Sequence, residues 1–183
     1  MRKILCVLLC FAVFTVPAYS ESLNVEASIF PLYDWVRELA KGSEGVKVNL
    51  LLDDGIDLHS CQPSVNDMVR ISTCDMFIYI GGESDEWAEA ALKNVTNKKQ
   101  IAINALEILG DLVRHEEIIE GMQHEHEHEH HHDEAHEHEY ESEPDEHVWL
   151  SLRNAEILCR YIASKLGQID PVREKIEVIR IGR

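Results

Sequence analysis

Met76-Phe77-Ile78-Tyr79-Ile80 is apolar at every position and ends in Gly81-Gly82, and this run constrains the fold more than any other segment. A strand that is apolar on both faces must be covered on both, as in a parallel sheet with helices on each side. Neighbouring segments supply the remaining layers. Asn24 to Ile29 alternates polar and apolar residues, Val46 to Leu52 is leucine-rich and β-branched, and Gln100 to Ile103 forms another short strand. Between the strands, Leu32, Trp35, Val36 and Leu39 recur at helical spacing up to Gly42. Gln62-Pro63-Ser64 opens a second helix carrying Val65, Met68, Val69 and Ser72, with Pro63 near the first turn, and Trp87 to Leu92 is a third. A last helix carries Ile157, Leu158, Tyr161, Ile162 and Leu166 on one face, with Gly167 as its stop. This alternation predicts an α/β fold with a parallel sheet of about four strands flanked by helices. Ligands of such sheets sit outside the carboxyl ends of the strands. His59 follows the second strand and Gly81-Gly82 the third, so both are expected on one rim.

The N-terminus predicts the compartment. Arg2 and Lys3 precede an apolar run from Ile4 to Val16, Pro17 ends it, and Ala18-Tyr19-Ser20 supplies small residues for cleavage. The run is shorter than the roughly 20 residues a membrane span needs, so residues 1–20 read as a cleaved secretory signal. Leu9 before Cys10 is too bulky for a lipoprotein cleavage site. No later run is long enough to cross a membrane, so the chain is expected to be periplasmic or extracellular. The remainder is the size of one domain. The full chain has a formal net charge of −17 at pH 7, and the remainder, without Arg2 and Lys3, is two units more negative. That balance opposes nucleic acid, whose phosphates demand Lys and Arg, and suits cations. Cys61, Cys74 and Cys159 remain after the signal, allowing at most one bridge; a Cys61–Cys74 pairing is left open. No CxxC pair is present to form a thiolate zinc site.

The strongest chemical signal is a tract in which His124, His126, His128 and His130 alternate with glutamates, followed by His131, His132, His136 and His138. Residues 124–143 contain almost nothing apolar, so they cannot offset the entropy of ordering. Imidazole suits Zn²⁺, Cu²⁺ and Ni²⁺, whereas Mn²⁺ prefers oxygen ligands. The interleaved carboxylates concentrate cations and offer secondary oxygen donors. Such a chelator loses capacity as its imidazoles protonate near pH ~6.5. Two isolated histidines stand apart: His59 in Gly55-Ile-Asp-Leu-His59-Ser-Cys-Gln-Pro63-Ser64, and His147 in Pro144-Asp-Glu-His147-Val-Trp149-Leu150.

On these motifs the chain resembles the solute-binding proteins of zinc and manganese ABC importers. His59 followed by Pro63-Ser64 and Asp67 is similar to the family's first-ligand motif. Asp145 with His147-Val148-Trp149-Leu150 is similar to the second, and Gly81-Gly82-Glu83, Asp85 and Trp87 look like the turn between them. A His-rich acidic insertion before the second ligand marks the family's zinc branch. The likeness covers nearly all of residues 23–170 and departs at Leu58, where some members carry an acidic residue, and at Glu146 and Ser151, which stand in place of the usual Pro and Asp. It implies His59 and His147 as metal ligands, with Cys61 a candidate substitute and the tract histidines auxiliary. It also implies Zn²⁺ as cargo, with Mn²⁺ or another divalent transition metal as the alternative, and the permease of an ABC importer as partner. In the family a second lobe supplies a third His and a carboxylate.

The expected organisation is a signal over 1–20 and an N-terminal α/β metal-binding lobe over 21–170. That lobe contains a disordered His-rich loop over 111–146, and the start of an interlobe helix follows over 171–183. The chain is expected to resemble one half of a two-lobed clamp that captures zinc and is not an enzyme. A hydrolytic zinc would need a third protein ligand, and no HExxH spacing is present. The alternatives are a zinc buffer or chaperone acting through the tract, or a truncated remnant without function.

Overall fold

The computed structural model describes residues 22–43, 45–52, 62–115 and 143–169. Four strands, β1 (Leu23–Ala27), β2 (Val46–Leu50), β3 (Met76–Tyr79) and β4 (Ile101–Asn104), form one sheet in the order β2-β1-β3-β4. Every pairing is parallel, with Val25 opposite Val48 and Met76, and Ile78 opposite Ile103. Helices α1 (Phe30–Leu39), α2 (Val65–Thr73) and α3 (Glu86–Lys93) connect successive strands; α4 (Ala105–Leu109) and α5 (Leu152–Ile169) follow β4. The chain steps from β1 outward to β2, then back across β1 to β3. With one crossover hand, that reversal puts α1 on the opposite face from α2 and α3.

Period-two alternation along the strands feeds the two layers. Val25, Ala27, Met76, Ile78 and Ile103 pack with Leu32 and Val36 of α1 and Leu158, Ile162 and Leu166 of α5. Phe77 and Tyr79 face the other way, onto Ile71 of α2 and Ala88 and Ala91 of α3. The α/β layering expected from the apolar run of β3 is therefore present.

Several local details differ from the sequence reading. Ser64 is the N-cap of α2 and closes a capping box with Asp67, so Pro63 precedes the helix rather than sitting in its first turn. Gly167 does not stop the last helix; it is buried within α5, where packing outweighs its propensity cost of about 1 kcal/mol. Helix α4 has no counterpart in the sequence reading, being five residues long and started by the Asn104 side chain, which accepts from the Glu107 N–H. Residues 111–115 and 143–146, placed in the loop by composition, take defined positions: His115 and Pro144 form an antiparallel bridge, and Asp145 N–H donates to Arg114 O at 2.7 Å. Cys74 and Cys159 are free thiols, and Cys61 lies outside the described residues. The signal and residues 171–183 lie outside the described residues.

Candidate metal site

In the order β2-β1-β3-β4 the switch point lies between β1 and β3, whose crossovers leave in opposite directions. Two chain segments converge where these strands end. After β3, Gly81 and Gly82 turn the chain with φ of 91° and 80°, conformations that residues with a Cβ rarely adopt. Asp85, 2% exposed, reaches back to accept from the N–H groups of Ile80 at 2.8 Å and Gly81 at 3.2 Å. Burial pushes its carboxyl up to about 6, with the nearby Glu146 charge adding to the rise and the two N–H donors opposing it. Its Oδ1 has no hydrogen-bond partner among the described residues.

The second segment is Pro144 to Leu150. Val148 is 5% exposed and anchors this segment in the core beneath α5. Glu146 is buried too, and its Oε1 accepts from the Ser84 N–H at 3.0 Å. It lies over Gly82, where an added Cβ would collide with the same oxygen. Between these two buried residues His147 is left partly exposed, its side chain 42% accessible. Asp145 Oδ1 accepts from the His147 backbone N–H at 2.9 Å and lies 3.0 Å from the ring Nδ1. When Nδ1 carries the proton and donates to that carboxylate, Nε2 holds the lone pair. A carboxylate behind an imidazole in this way fixes the ring and makes it a better metal donor. Trp149 flanks the ring at 5.2 Å between centroids.

Of the residues singled out by sequence, the structure places His147, and with it Asp145, Trp149 and the Gly81-Gly82 turn. His59, Cys61 and the tract histidines His124 to His138 lie outside the described residues. The flanks of the His59 segment are described: Leu52 N–H donates to Ser28 O at 3.1 Å, at the carboxyl end of β1, and Ser64 starts α2. Among the described residues no three His, Cys, Asp or Glu side chains group closely enough to hold a metal ion. A cavity of about 450 Å³ borders the start of the Pro144 to Leu150 segment, lined by Leu106, Gly110, Asp111, Val113, His115 and Pro144. Among the described residues its lining offers one imidazole and one carboxylate, fewer than the four ligands of a tetrahedral zinc. The buried position of Glu146 against the Gly82 turn is not marked by any local sequence signal, because it depends on two segments meeting.

The family profile described as ZnuA, zinc-uptake complex component A, periplasmic, matches residues 25–176. The chain belongs to this family. Its members are solute-binding transport proteins rather than enzymes. It is 28% identical over 151 residues to the high-affinity zinc uptake system protein ZnuA of Bacillus subtilis, covering 82% of this chain and 43% of that protein. It is 26% identical over 181 residues to the zinc-binding lipoprotein AdcA of Streptococcus pneumoniae, covering 93% of this chain and 32% of that protein. The chain thus spans less than half the length of these two family relatives. In three dimensions it is similar to the crystal structure of the Zn(II)-bound ZnuA-like domain of S. pneumoniae AdcA, with a TM-score of 0.61 and 22% identity over 88% of this chain and 49% of that one. That likeness supports the same α/β layering. Among the described residues no helix is long and apolar enough to cross a membrane.

Proposed function

We propose that this chain captures Zn²⁺ outside the cytoplasm for an ABC-type zinc importer, with His59 and His147 as ligands at one rim and the tract histidines as an auxiliary store. The observation that carries the proposal is the His147 setting: a partly exposed imidazole, backed by Asp145, at the switch point of a ZnuA-family sheet. The cargo is Zn²⁺ rather than Mn²⁺ because the proposed donors are imidazole nitrogens. A tetrahedral zinc takes four ligands, so two imidazoles leave two positions for water, for the tract, for Cys61 or for a further part of the protein. The ion is bound and passed on to the permease, and no bond in it or in a substrate is broken. Residues 1–20 act as the export signal.

Calorimetric zinc titration of the chain freed of residues 1–20 tests this, with and without residues 124–143, and with His59→Ala and His147→Ala alone and together. Each single alanine is expected to weaken the tightest site by more than the ~10–100-fold that loss of an outer-shell partner costs. Deleting 124–143 is expected to lower the number of ions bound and spare the tightest site. Equal zinc binding by the double alanine variant lacking 124–143 would sink the ligand assignment. The tract itself favours a second reading, a buffer working through residues 124–138. It predicts the reverse result, near-complete loss of binding on deletion.

A further inference from the structure

The fold gives the Glu146 side chain a place of its own. Glu146 is 6% exposed. Its Oε1 takes the Ser84 N–H at 3.0 Å, joining residues 62 apart in sequence. The void it fills exists because Gly82 has no Cβ. The receiving turn is itself held by Asp85, through the N–H groups of Ile80 and Gly81. Ser84 belongs to the 3-10 turn Glu83–Asp85 that leads into α3, so its N–H is among those with no partner inside the helix.

From this geometry we propose that Glu146 is a positioning residue for His147, locking the histidine segment onto the β3–α3 turn. The inference rests on the reading of His147 as a zinc ligand. Val148 fixes the segment from the core side and Glu146 from the turn side, so the backbone of His147 is held at both neighbours. Without Glu146 the segment keeps the Val148 anchor and the Asp145–Arg114 bond but loses its tie to the β3–α3 turn beside His147. The bond that matters is the neutral acceptance of one N–H, not the charge, which separates this role from electrostatic attraction of the cation.

The test uses the full chain with free zinc held by a chelator buffer, so that the tract does not set the free concentration. Occupancy is read at the His147 ring resonances, and thermal unfolding is followed in parallel. Glu146→Ala is expected to raise the zinc Kd read at His147 about 10–100-fold. Glu146→Gln, whose amide oxygen still accepts from Ser84, is expected to stay within about threefold of the parent protein, a shift of roughly 0.6 kcal/mol. Ser84→Pro deletes the backbone donor while keeping the Glu146 side chain, and it is expected to match Glu146→Ala. In the metal-free protein, Glu146→Ala is expected to move the His147 ring nitrogen shifts and Glu146→Gln to leave them. A Kd unchanged in Glu146→Ala and Ser84→Pro while His147→Ala loses binding overturns the positioning role alone. A loss in Glu146→Gln equal to that in Glu146→Ala assigns the effect to charge and overturns it as well. No loss in His147→Ala overturns the underlying ligand reading.

Discussion

Asp85 shows how one residue can be legible by type and illegible by role. Sequence marks it as an acidic residue after a glycine turn; the fold makes it a buried anchor for the end of β3. Its carboxyl, raised to about 6 by burial, has a consequence for stability. A folded-state value above the unfolded ~3.9 means the native chain binds the proton more tightly. The cost of its charge is present in full above pH ~6 and is relieved as pH falls from there towards ~4. Relative to Asp85→Asn, the parent protein is therefore expected to gain on the order of 2–3 kcal/mol on going from pH 7 to pH 4. Urea denaturation at both pH values measures this, and a difference independent of pH contradicts it. The same distinction holds for His147. Its motif is written in the sequence, but its exposure, its Asp145 contact and the burial of Glu146 beside it depend on chain segments meeting.

At the scale of elements, α2 is tied to the sheet by charge as well as by apolar packing. Glu26 of β1 is 3% exposed, and it accepts from Arg70 of α2 at 2.6 Å and from Asn49 of β2 at 2.8 Å. Burial pushes its carboxyl up, and the Arg70 guanidinium opposes that rise. Arg70 also reaches Asp67, whose carboxylate completes the capping box with Ser64. Removing Arg70 leaves the buried Glu26 without its counter-ion and with only the Asn49 amide, so Arg70→Ala is expected to cost about 3 kcal/mol in chemical denaturation. Adding Glu26→Gln to that variant should restore more than half of the loss, because a neutral amide needs no counter-ion. A double variant no more stable than Arg70→Ala would show that the ion pair is not what the helix relies on. None of this network was readable from periodicity, which places apolar residues and says nothing about which charge enters the interior. Capping chemistry was partly readable, since Ser64 and Asp67 carry the spacing of a cap. Helix α4 was not, because five residues give too little of a period to recognise.

For the whole molecule, the sheet is sealed on one face by α1 and α5, which meet over β1 and β3. Ile162, fully buried, packs in this layer with Leu32, Val36 and Ile78. Ile162→Ala is expected to destabilise the fold by about 2–5 kcal/mol in urea, and a cost within the ±0.5 kcal/mol typical of surface sites would refute the layer assignment. The amino-acid sequence by itself determined the layers: an apolar β3, three amphipathic connections and a last helix, because burial imposes periods that can be read locally. It also determined the imidazole-rich chemistry, since ligand type is a property of residues and not of their arrangement. Tertiary structure decided the order β2-β1-β3-β4, and with it the switch point where His147 is presented. It decided as well that Gly82, Ser84 and Glu146 meet, a contact between residues far apart in the chain. Such meetings depend on which strands pair and on the space that a missing Cβ leaves, and neither is encoded in any local window.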